Sequence, residues 1–152
     1  MYRTSTALIL SLSALAPLAA EAKPVKMQVT IAQYSGPNTF LAMYLTDKAG
    51  TYKSTVWVAG DRTRYWRHLR TWFAATGGHG ADGVTGASVG SGRTLTVTPD
   101  SAAAMIDAGY VLHIDAAAEN IGESPDEIAI PLTSAGQSVA GNGFIAKFKY
   151  SM

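Results

Sequence analysis

The sequence predicts a mainly-β fold, an immunoglobulin-like sandwich of seven or eight short strands with one inserted amphipathic helix. Three observations carry this reading. Apolar residues alternate with period two in several short runs, clusters of turn-forming residues separate those runs, and the period lengthens to that of a helix only once, after Gly60.

Residues 1–22 read as a cleavable secretory signal. Arg3 supplies positive charge, Ala7 to Leu18 form the apolar stretch, and Ala20-Glu21-Ala22 presents small side chains at an A-x-A site. The apolar run is shorter than the roughly 20 residues a bilayer requires, and Pro17 interrupts it. Cleavage is expected after Ala22, with Ala20 as the alternative, leaving residues 23–152 as one periplasmic domain. Every later apolar run is broken by Lys, Asp, Gly or Thr, so no transmembrane segment is expected in the mature chain.

The mature chain opens with Val25, Met27, Val29 and Ile31 alternating with Lys26, Gln28 and Thr30, the pattern of a half-buried strand. After the Ser35-Gly36-Pro37-Asn38 turn, Phe40 to Leu45 is apolar at nearly every position, as a strand covered on both faces would be. Asp47 to Gly50 turns the chain. Tyr52 to Val58 then offers a third strand, with Val56 and Val58 expected on one side and Trp57 on the other.

Beyond Gly60, Asp61 is the expected N-cap of a helix over Arg62 to Ala75. Tyr65, Trp66, Leu69, Trp72 and Phe73 fall on its apolar side, and Arg62, Arg64, Arg67 and Arg70 on the other. Thr76-Gly77-Gly78 ends it and opens a glycine-rich loop reaching to about Gly92. Strands return at Leu95 and Val97, then at Tyr110, Leu112 and Ile114, which face opposite to Val111, His113 and Asp115, then at Ile128, Ile130 and Leu132. Gly141-Asn142-Gly143 signals a two-residue hairpin, with Phe144, Ala146, Phe148 and Tyr150 lining one face of the last strand.

The formal net charge is +1, and removing residues 1–22 takes away one positive and one negative group, so no nucleic-acid partner is indicated. There is no cysteine, hence neither a disulfide framework nor a thiolate metal site. The mature length suffices to bury roughly two-thirds of the unfolded surface around one core.

Several motifs point to chemistry that their context does not support. Gly78-His79-Gly80-Ala81-Asp82-Gly83 matches G-x-G-x-x-G, yet a helix precedes it where a dinucleotide fold needs a strand. Gly86-Ala87-Ser88-Val89-Gly90 matches an esterase motif in a chain without the strand-turn-helix setting. His68, His79 and His113 are scattered over a helix, a loop and a strand, so no metal site is expected; His113 and Asp115 share a strand face and are the nearest approach to one. Trp66 and Trp72 read as core, and the helix arginines as a solvated face.

The glycine-rich loop is more specific. Asp82-Gly83-Val84-Thr85-Gly86-Ala87-Ser88 resembles the acceptor motif D-x-x-[ST]-G-A-[ST] of proteins modified by periplasmic flavin transferases. Trp57 before the Gly60-Asp61 turn, the segment Arg64 to Trp72, this loop and Tyr110-Val111-Leu112 together resemble a family of predicted periplasmic proteins of unknown function, domain of unknown function 2271. That family is associated with flavin transferases and PepSY-type membrane proteins. The resemblance implies that Ser88 carries FMN through a phosphoester, with Thr85 the second choice and Asp82, Gly86 and Ala87 the rest of the motif. Ser88 stands where threonine is usual, and Thr98-Pro99-Asp100 where an aromatic-Asp-Gly turn is expected. Serine offers the same nucleophilic oxygen with less crowding, while Gly86 and Ala87 leave room for in-line approach to phosphorus inside another enzyme.

On this reading the protein is not an enzyme but the substrate of a flavin transferase and then an electron carrier, with a membrane redox protein as a possible partner. Arg93 and a helix arginine would neutralise the phosphodiester, and Trp57, Trp66 or Trp72 would lie against the isoalloxazine. Two alternatives remain open at this point: a cofactor-free periplasmic binding or interaction module, and a metal carrier using His113, Asp115 and a methionine.

Overall fold

The computed structural model describes residues 23–152; the leader, with its Ala20-Glu21-Ala22 site, lies outside the described residues. In chain order the strands are β1 (Lys26–Ile31), β2 (Thr39–Thr46), β3 (Tyr52–Ala59), β4 (Thr85–Gly86), β5 (Thr94–Val97), β6 (Val111–Ala118), β7 (Gly122–Pro131), β8 (Gln137–Val139) and β9 (Ile145–Ser151). A helical segment between β3 and β4 contains α1 (Arg70–Thr76). One sheet has the order β5-β1-β9-β8 and the other β4-β3-β2-β6-β7, and the two pack face to face as the β-sandwich the patterning predicts.

Alternation places the core. Val25, just before the first strand, and Met27, Val29 and Ile31 within it meet Leu41, Met43, Leu45, Leu112 and Ile114 between the sheets. β2 is buried at every position because it is covered twice: Leu41, Met43 and Leu45 face the other sheet, and Phe40, Ala42 and Tyr44 face the helical segment. Ile128, Ile130 and Leu132 are buried as expected.

Three expectations change. On β3, Val56 lies between the sheets while Val58 faces the helical segment, because the register shifts between Met43 and Tyr44 and leaves an extra residue opposite them. On β9, Ile145 takes the inward place expected of Ala146, which is exposed, since a second register shift falls between Thr30 and Ile31. Gly141-Asn142-Gly143 does not make a two-residue hairpin. None of these residues is among those with positive φ, which a type I′ turn requires, and the β8–β9 pairing begins only at Val139 and Phe148. Glu127 on β7 organises that loop instead, its carboxylate accepting the backbone N–H groups of Gly143, Phe144 and Ile145 at 2.7, 3.0 and 2.8 Å.

The helical segment is also reworked. Thr63–His68 is a 3₁₀ helix, Leu69 breaks the ladder with ψ 75°, and α1 follows. Asp61 is not the N-cap: Arg62 holds that position and no side chain caps the 3₁₀ turn. The reason is legible afterwards in the spacing. Trp66, Leu69 and Trp72 recur every third residue, the 3₁₀ period, and all three are buried against the outer face of the β2 sheet. Arg62, Arg64, Arg67 and Arg70 are exposed, as predicted. Because Leu69 is fully buried at the junction, Leu69→Ala is expected to cost roughly 2–5 kcal/mol in urea unfolding; a midpoint equal to wild type would show that this segment is peripheral.

A candidate acceptor site at the edge of a sheet

Gly77 closes α1 in the left-handed conformation, φ 62°, its N–H reaching Phe73 O at 2.7 Å. The chain then returns to the edge of the five-stranded sheet as a strap. Val58 N–H donates to Val84 O at 2.8 Å and Gly60 N–H to Gly86 O at 2.7 Å. Past the motif, Thr39 and Val89 exchange both backbone bonds at 2.8 Å. The loop is therefore pinned on both sides of Ser88.

Strand alternation sorts the motif residues. Thr85 and Ala87 are exposed, whereas Gly86 and Ser88 turn toward the protein. Gly86 lies on the Trp57 indole, where an added Cβ would come within 2.7 Å of the ring, so the glycine is required by packing. The Trp57 N–H is buried beneath it, with no acceptor among the described residues. Asp82 is exposed and precedes Gly83, whose φ is +75°.

Ser88 is half-buried, and its Oγ accepts a long hydrogen bond from Asn38 Nδ2 at 3.4 Å. It opens onto a cavity of about 280 Å³ lined by Phe40, Tyr65, Trp66, Arg62 and Asn38 together with Asp61 and Glu119. A groove of about 690 Å³ continues from it, sharing Phe40, Tyr65 and Glu119 and adding Arg67, His68 and Ile121. Of the helix arginines expected near a phosphodiester, Arg62 reaches the wall. Arg93 does not line it: its side-chain stem lies against Gly90, outside the cavity. Trp57 lines a different groove with Val84 and Thr96, and Trp72 is fully buried, so Trp66 is the tryptophan that lines the cavity. Phe40, Tyr65, Asn38 and Glu119 come from distant segments, and no sequence spacing singles them out.

An ion cluster fixes this region to β7. Glu123 binds Arg70 Nε and, at 2.5 Å, His68 Nδ1. The Arg70 guanidinium first, and His68 second, hold the Glu123 carboxyl below its ordinary value. A depressed carboxylate stabilises the fold above the unfolded pKa, and that contribution is lost as pH falls through the folded value. The stability gap between wild type and Glu123→Gln is therefore expected to be present at neutral pH and to close in acid, below the ordinary glutamate range. A gap that persists unchanged in strong acid would contradict this.

His113 and Asp115, the nearest approach to a metal pair in the sequence, have protein partners on every titrating atom. His113 Nδ1 meets Asp126 at 2.6 Å and Nε2 meets Thr46 Oγ1 at 2.8 Å. Buried Asp115 accepts the Trp72 N–H and the Asp126 N–H, each at 2.8 Å, and the Tyr44 hydroxyl at 3.4 Å. Burial, reinforced by Asp115 and Asp126, raises the Tyr44 pKa far above its ordinary value, so the phenol stays a donor. Among the described residues no group of three or more His, Asp or Glu is placed to hold a metal ion.

Fold and site together define a class: a two-sheet sandwich whose edge strap presents Ser88 to a cavity lined by three aromatic rings, one arginine and two acidic residues. The profile of the predicted periplasmic protein family (DUF2271) matches residues 22–147, and the chain belongs to that family. No curated protein and no solved structure matches it. The family is one of predicted periplasmic proteins, the compartment that residues 1–22 predict, and among the described residues no helix is long and apolar enough to cross a membrane.

Proposed function

We propose that this chain is a periplasmic carrier of covalently bound FMN, attached at Ser88 and serving extracytoplasmic electron transfer. One observation carries the reading: the acceptor serine of the motif faces a cavity walled by Phe40, Tyr65, Trp66 and Arg62. The residues fit such a group. The cavity alone is at the small end of ligand pockets, but with the adjoining groove it reaches the usual range, and its aromatic rings share the wall with Asn38, Arg62 and the acidic residues Asp61 and Glu119.

The chain's own part in the attachment is that of a substrate. Ser88 Oγ attacks the flavin-side phosphorus of FAD in the transferase, the Oγ–P bond forms, the pyrophosphate P–O bond breaks, AMP leaves and the serine proton passes to the transferase. Arg62 would hold the remaining phosphodiester charge, and the sandwich would orient and partly shield the ring. FMN, when bound, supplies the redox chemistry. A membrane redox protein would be the electron partner, and the chain itself would catalyse nothing.

A second reading, a cofactor-free interaction module, is favoured by the pinned strap, since the Gly60–Gly86 and Thr39–Val89 bonds must loosen before Ser88 can enter another enzyme. Co-expression with a competent flavin transferase separates the two. The carrier is expected to be yellow, with a mass increased by one FMN less water; a colourless protein of unchanged mass with several competent transferases would replace this reading with the second.

A further inference from the structure

The trough that Ser88 opens onto continues past the hydroxyl, and its character changes along the way. Near Ser88 it carries Arg62, Asn38 and Asp61; beyond them the two cavities are joined by Phe40, Tyr65 and Glu119, which line both. Those two rings are stacked, their centroids 5.6 Å apart and their planes at 24°. Phe40 is buried to 5 % exposure while Tyr65 is half-buried, so Tyr65 is the ring that a guest can touch. Arg64 flanks it from outside: Nη2 donates to the Tyr65 hydroxyl at 2.9 Å, and the guanidinium lies over the ring with its carbon 4.8 Å from the centroid, an exposed contact that an incoming planar group would displace.

The tryptophans are less well placed to receive a planar group. Trp57 lies across the strap in another groove, Trp72 has no exposed surface, and the Trp66 N–H is committed to Gly60 O at 2.8 Å with the ring 8 % exposed.

We propose that Tyr65, backed by Phe40 and flanked by Arg64, is a ring-binding subsite for a planar heteroaromatic group whose phosphate end lies at Ser88 and Arg62. The identity of the tethered group rests on the flavin-carrier reading; the subsite itself does not, because an untethered ligand of the same chemistry should find it.

The test uses the unmodified chain, prepared without a transferase, and free FMN, read by quenching of flavin fluorescence on titration. A short tether supplies an effective concentration on the order of millimolar, so a subsite able to seat a tethered ring must bind free FMN at about 1 mM or tighter. Tyr65→Leu is expected to weaken binding roughly two- to tenfold, the range that aromatic contacts support. Tyr65→Phe keeps the ring and should bind as wild type, which separates loss of the subsite from loss of the fold. Absence of saturable binding, or equal affinity of Tyr65→Leu and wild type, would overturn the proposal. None of these outcomes depends on covalent attachment. A chain that binds free FMN through Tyr65 yet never gains mass with a transferase would retain the subsite and lose the carrier reading.

Discussion

Asp115→Ala is expected to lower stability by about 3–5 kcal/mol, since it leaves buried donors without acceptors. The carboxylate is fully buried on β6 and holds three partners that belong to three elements. Through the Trp72 N–H it caps the first turn of α1, where negative charge also favours the exposed backbone donors. Through the Asp126 N–H it fixes β7 at a residue with φ 49°, and through Tyr44 it satisfies a buried phenol. Removing it relieves the cost of burying a charge, which offsets part of the loss, but two backbone N–H groups and one hydroxyl then face an apolar gap. Asp115→Asn preserves the shape and one accepting oxygen, so roughly half the effect is expected. Urea unfolding measures both. A change below about 1 kcal/mol in Asp115→Ala would show that water or a side-chain shift replaces the carboxylate and that it does not hold helix to sheet.

Asp115 also marks where sequence reasoning stops. Its alternation with Leu112 and Ile114 was legible and put it on the correct face of β6, but its role depends on an N–H located 43 residues away. Glu127 is similar, ordering a loop 16 to 18 residues downstream from the opposite sheet. β1 read cleanly from its period-two alternation and β2 from its continuous apolar run, whereas of β7 only Ile128 and Ile130 were legible. β3 and β9 misled because one added residue in a ladder turns the following side chains to the other face. The 3₁₀ turn hid inside a helical pattern, since buried residues at every third position suit either helix over so short a stretch. Asp82 to Ser88 could be found because they are contiguous. The wall around Ser88 could not, because Asn38, Arg62, Tyr65 and Glu119 meet only after β2, the 3₁₀ turn and the β6–β7 connection have packed.

The other large effect concerns Ser88 itself. Ser88→Ala is expected to abolish flavin attachment outright, because no other atom in that position can form the phosphoester, while the fold should be little affected: the Ser88 hydroxyl makes one long hydrogen bond, to Asn38. Ser88→Thr retains the nucleophile and should remain modified. Thr85 is exposed on β4 with its side chain on the other side of the strap, so Thr85→Ala should lower modification only through docking in the transferase. Gly86→Ala is the informative neighbour, since its Cβ would drive into Trp57 and displace the strap without touching the acceptor atom.

The most direct measurement is fragmentation mass spectrometry of the tryptic peptide Thr71 to Arg93 from chain co-expressed with a flavin transferase. That stretch contains no internal lysine or arginine and carries Thr85, Ser88 and Ser91 together. The carrier account predicts one added FMN less water, located on Ser88. The same mass on Thr85 or Ser91, or an unmodified peptide from every competent transferase, would contradict it.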